Sequence, residues 1–187
     1  MSIFDLSNIK SRCRRRKQIA NRLTHQIVEP EQPFSISVVI AQSNQGQVDG
    51  GAGLKVGIHS ELNEVKSNVF AQSGLIAGVV GNELVLGKKR LSFDSPLHRQ
   101  ALRLTLTGKK KIDYIQLILT VTLAESGQNI AQLSDYVAPE SLLGNVAVVS
   151  NFNISADEPT PKSGTLYQFS QWTIDGNAFS EVPEQKC

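Results

Sequence analysis

The side chains that could do chemistry are few and scattered. The three histidines, His25, His59 and His98, lie far apart, and none belongs to an H-x-H or H-E-x-x-H ligand pair. Cys13 and Cys187 sit near opposite ends, with no second cysteine or histidine at metal-ligand spacing. A disulfide between them would have to join two terminal segments of the kind that fray. Hydrolysis of a glycoside needs two carboxylates facing across a cleft. The acids here are dispersed, and Glu61 and Glu64 fall in an expected connection. There is no G-x-S-x-G elbow and no nucleotide-binding glycine loop. Gly50-Gly51-Ala52-Gly53 leads into a strand, so it lacks the helix N-terminus that would hold a phosphate. These observations assign no catalytic residue, no metal ligand and no cofactor, and they predict a chain that is not itself an enzyme.

Binding without catalysis leaves more to work with. The basic run from Arg12 to Lys17 could dock an anion, but no aromatic is interleaved to stack a base, and a solvated arm is the simpler reading. Seven Lys or Arg lie between Lys10 and Arg22, whereas from Thr24 onward 12 bases face 16 acids, a formal charge of −4. An acidic body excludes nucleic acid as a partner. Lys88-Lys89-Arg90 reads as a solvated turn or a protected sheet edge rather than a phosphate site. A sugar site needs exposed aromatics, and Tyr114, Tyr136, Tyr167 and Trp172 are the candidates, although Ile174 two positions on places Trp172 in the core. Asp94, Asn151 and Asn153 could give oxygen ligands to calcium, but single Asp and Asn residues in loops usually make turns. The ligand-binding residues therefore stay unassigned.

The elements that would position these groups are strands. Phe34, Ile36, Val38 and Ile40 fall on one face of an alternating run, and Leu54, Val56 and Ile58 alternate with Gly53, Lys55 and Gly57. Residues 74–80 and 83–86 flank Gly81-Asn82, a type II′ hairpin signal. Leu102, Leu104 and Leu106 face inward, and Gly108 with three lysines predicts the next turn. Residues 114–123 form a one-sided strand with Ile115, Leu117, Leu119, Val121 and Leu123 on one face. Residues 134–141 read as irregular with a short helical turn, 145–150 as a central strand, and 151–163 as a loop. In the last strand Trp172 and Ile174 have the opposite parity to Tyr167 and Phe169, which predicts a bulge between Phe169 and Trp172 or burial on both faces. The last two strands look like the centre around which earlier strands pack. About nine strands at short spacing argue an all-β antiparallel sandwich. The expected domain map is a basic arm over 1–33, partly helical, a sandwich over 34–179 and a tail over 180–187. No apolar run spans a membrane, and Arg12 to Lys17 is not followed by the apolar stretch of a signal peptide. The sequence assigns no compartment.

Two stretches carry a resemblance. Gly144-Asn-Val-Ala-Val-Val-Ser150 and Phe169-Ser-Gln-Trp-Thr-Ile-Asp-Gly176 resemble the closing strands of a concanavalin A-like jelly roll. More narrowly, they are similar to the accessory domain preceding the catalytic domain in bacterial alkaline phosphatase D-like metallophosphatases. GGAGLKVGI and SGLIAGVVGNELVLG resemble earlier glycine-rich strand pairs of such domains, so the likeness covers roughly residues 34–179. It implies a non-catalytic accessory domain whose partner is a metallophosphatase domain C-terminal to it, with the metal ligands in that domain. The segment before Phe34 departs from the usual opening strand. The alternative is a free-standing glycan-binding, lectin-like module.

Overall fold

A computed structural model describes residues 2–4, 25–42, 51–59, 74–94, 100–150 and 167–181. These residues form thirteen strands and one short 3-10 helix. In chain order they are β1 (Ser2–Phe4), β2 (His25–Ile27), β3 (Phe34–Gln42), β4 (Gly51–Ile58), β5 (Leu75–Val80), β6 (Glu83–Leu86), β7 (Lys89–Ser92), β8 (Leu102–Lys111), β9 (Tyr114–Leu123) and β10 (Asn129–Val137). The helix Pro139–Leu142 precedes β11 (Gly144–Ser150), β12 (Tyr167–Gly176) and β13 (Phe179–Glu181). Sheet I has six strands in the order β1-β12-β3-β8-β9-β10, and sheet II has seven, β13-β2-β11-β4-β5-β6-β7. Every pairing is antiparallel. No described helix is long and apolar enough to cross a membrane.

The sandwich exists because period-2 strands must bury one face. Leu102, Leu104 and Leu106 of β8 and Ile115, Leu117, Leu119 and Val121 of β9 are fully buried against Leu54, Val56, Leu84 and Leu86 of sheet II. Trp172 joins this core through a bulge, one of the two arrangements that its parity allowed. The pairing of β12 with β3 shifts between Ser170 and Thr173, and Gln171 takes φ 50°. One extra residue reverses the parity, so Tyr167, Phe169, Trp172 and Ile174 all meet the same core. The expected hairpin also forms: Val80 pairs with Glu83 across Gly81-Asn82, with Gly81 at φ 58°.

Several expectations need correcting. The last two long strands do not pack as one layer: β11 lies in sheet II and β12 in sheet I. Residues 134–137 belong to β10, and only Pro139–Leu142 is helical. Ser134–Val137 gave no strand signal because Asp135 interrupts the inward-facing series between Leu133 and Val137. Ile58 does not share a face with Leu54 and Val56. Gly57 takes φ 68°, and Ile58 packs with Ala147 and Val149 in a separate cluster on the other side. Sheet strands also lie outside the expected 34–179 range, at Ser2–Phe4 and His25–Ile27. Phe179–Glu181 crosses the expected boundary with the tail. The basic run from Arg12 to Lys17, the helical stretch expected around it, and the loop at 151–163 lie outside the described residues.

Candidate functional site

Taken one by one, the candidate residues separate by burial. Trp172 and Tyr167 are buried core residues, whereas Tyr114 and Tyr136 are 55% and 56% exposed. His25 stacks edge-on against Phe179 at 6.4 Å in β2. His59 and Asp94 are exposed. Cys13, Cys187, His98, Glu61, Glu64, Asn151 and Asn153 lie outside the described residues. Among the described residues no three His, Cys, Asp or Glu side chains could share a metal ion. Lys88-Lys89-Arg90 leads into the exposed edge strand β7, where Lys89 pairs with Asp135 of sheet I at 3.4 Å and Arg90 with Glu83 at 3.6 Å. These cations link and protect sheet edges, as the sequence suggested.

The outward faces of the two sheets differ. On the far side of sheet II, Ile58, Ala147 and Val149 are buried in a second apolar cluster, with Ile76 and Val80 packed against it. Lys55 is buried on that strand, and burial pushes its amine below the ordinary lysine value. Sheet I presents hydroxyls and amides. The register sets Thr173, Ser37, Thr105, Thr120 and Gln132 side by side across its strands. Thr105 Oγ1 donates to Ser37 Oγ at 3.3 Å, and Arg103 donates to Ser37 and to the bulged Gln171.

The two exposed tyrosines occupy one end of this outward face. Ile115 and Leu117 point into the core, so Tyr114 and Gln116 point out. Tyr136 is directly opposite Gln116. Tyr136 and Tyr114 are therefore diagonal neighbours on adjacent strands, about 7–8 Å apart. On the other side, Lys109 is opposite Gln116 and Lys111 is opposite Tyr114. The result is a platform of two aromatic rings, one amide and two ammonium groups on a paired sheet. Such a surface can stack on a flat ring and hydrogen-bond its edges.

The lysines of this platform were assigned to a turn on the sequence. They instead extend β8 to Lys111, and the turn is Ile112-Asp113, with Ile112 at φ 41°. Gly108 misled because its role is packing: the Phe34 ring occupies the space that a Cβ would need. Alternation carried on past Gly108 would have found Lys109 and Lys111, but a β-branched residue in a tight turn gives no turn signal.

The residues behind the resemblance serve the fold. Gly144 and Gly176 take φ 128° and 113°, where a side chain would be strained and would also strike the backbone of Ile58 or Pro33. Asn145 and Trp172 are buried. These stretches therefore mark an architecture rather than a catalytic context.

No protein-family model matches the chain, and no curated protein matches it. Solved structures do. Peanut lectin, determined with a nine-residue peptide, aligns at 10% identity over 82% of this chain and 73% of its own, with a TM-score of 0.50. Scytalido-glutamic peptidase, with a peptide-based transition-state analogue, aligns at 11% identity over 86% and 81%, also at 0.50. Lectin II from Ulex europaeus aligns at 12% identity over 78% and 73%, with a TM-score of 0.48. A lectin and a peptidase on one scaffold show that the scaffold does not set the activity. What the chain shares with them is the fold, an all-β antiparallel jelly-roll sandwich of the concanavalin A-like type.

Proposed function

We propose that this chain is a non-catalytic accessory module that binds glycan on the outward face of sheet I. The observation that carries the reading is the pair Tyr114 and Tyr136, exposed and held on one face by strand pairing, while Trp172 and Tyr167 are committed to the core. Rigid aromatics on paired strands lose little freedom when a sugar ring stacks on them. The test is affinity electrophoresis of the purified chain through a panel of soluble polysaccharides. Retardation by at least one is expected, and Tyr114→Ala and Tyr136→Ala should each weaken it about tenfold, about 1.4 kcal/mol. Thermal melting should stay close to wild type. Failure to bind any glycan, or binding indifferent to both substitutions, overturns the proposal.

A second reading makes the module an accessory to an alkaline phosphatase D-like metallophosphatase domain, as the resemblance implies. Ile112 favours it. This residue is 89% exposed at the tip of the β8–β9 hairpin, an apolar knob beside Tyr114 that packing within the chain does not require. An apolar knob of this kind suits a contact between domains. The genomic sequence following codon 187 tests it: a continuing frame rich in Asp, His and Asn metal ligands supports it, and a stop codon with no such neighbouring gene removes it.

A further inference from the structure

We infer that the glycan taken by this face is anionic, carrying carboxylate or sulfate, and that Lys109 and Lys111 select it. The inference rests on the tyrosine platform being a glycan site. Outward positions on the long strands of sheet I hold three cations, Arg103, Lys109 and Lys111, and among the described ones a single acid, Asp175. Asp175 lies on β12, across β3, β8 and β9 from Tyr136, where it pairs with Ser35. Arg103 is held over β3 by Ser37 and Gln171.

Lys109 and Lys111 have no such commitment. Neither ammonium group makes a hydrogen bond or ion pair among the described residues. The intervening Lys110 has the opposite parity and pairs with Glu31 at 2.8 Å, which engages the nearby carboxylate. Asp113, in the turn, is the one acid of this hairpin. Two lysines two residues apart on a strand have Cα atoms about 7 Å from each other. Each borders the tyrosine platform. A sugar ring stacked on Tyr114 would extend its ring substituents outward in the ring plane, toward the strand that carries Lys111. A lysine is a compact point charge on a flexible stem, which suits a carboxylate or sulfate at the ring edge.

The experiment measures binding of the full chain to polygalacturonate, a sulfated galactan, a neutral galactan and polyglutamate. Both acidic glycans, or one of them, should bind more tightly than the neutral galactan, and the two arms identify carboxylate or sulfate as the group read. Lys109→Gln and Lys111→Gln should each weaken acidic-glycan binding about fivefold, as for one exposed charge pair. They should weaken neutral-galactan binding less than acidic-glycan binding, and added salt should erase the difference. Neutral galactan bound as tightly as both acidic polymers, with binding still lost in the tyrosine variants, overturns the charge inference and leaves the platform standing. Polyglutamate bound as tightly as the glycans, with no effect of the tyrosine substitutions, reduces the face to an ion exchanger and overturns both. No binding to either acidic glycan overturns the charge inference, and the polysaccharide panel then decides the platform reading.

Discussion

Replacing Trp172 with alanine tests whether the bulge in β12 places its side chain in the core. Trp172 is 6% exposed and belongs to the main apolar cluster. A tryptophan buries about 200 Å², worth about 5 kcal/mol at about 25 cal/mol per Å². Compactness of the unfolded chain reduces such a figure by about 10–40%. The expected loss is therefore about 3–5 kcal/mol, the range seen for large aromatic truncations. Trp172→Phe keeps a ring and should lose about half as much. The measurement is urea unfolding followed by far-UV circular dichroism, because the substitution removes the sole tryptophan. In the wild type, emission should be blue-shifted when native and move red on unfolding. A cost below about 1 kcal/mol, or native emission already at the unfolded position, would refute the bulge argument and return Trp172 to the candidate ligand residues.

Ile112→Gly should raise stability by about 0.5–1 kcal/mol, since a positive φ suits glycine and the exposed side chain gives up no burial. A loss in chemical denaturation would show that the side chain has a partner within the chain. Tyr167→Phe should be neutral or up to about 1 kcal/mol more stable, because the buried hydroxyl has no hydrogen-bond partner among the described residues. Burial also pushes the Tyr167 phenol above its ordinary value of 10.0, so the unfolded chain loses that proton first and stability falls as pH rises past 10.0. The phenylalanine variant should show a shallower fall in thermal melts across that window, and an unchanged slope would count against the buried phenol.

The sequence by itself determined the class of fold and most of its strands. Leu102, Leu104 and Leu106 alternate strictly with polar residues, Ile115 through Val121 does so except at Ile118, and a strand with that pattern must turn one face to a core. The parity change between Phe169 and Trp172 could be read for the same reason, because only an inserted residue lets both pairs reach one core. Local pattern does not carry sheet membership. That β11 and β12 lie in different sheets depends on pairing between residues more than a hundred positions apart, such as Thr173 with Ser37. The platform depended on tertiary structure as well. Parity with Ile174 already places Trp172 in the core, but Tyr114, Tyr136 and Tyr167 are alike by type, and only burial separates Tyr167 from the two exposed tyrosines. Lys109 and Lys111 became neighbours of the tyrosines through register across β8, β9 and β10. Register is fixed by the whole hydrophobic pattern and by turn geometry, and here the turn was built on Ile112, a residue that announces no turn.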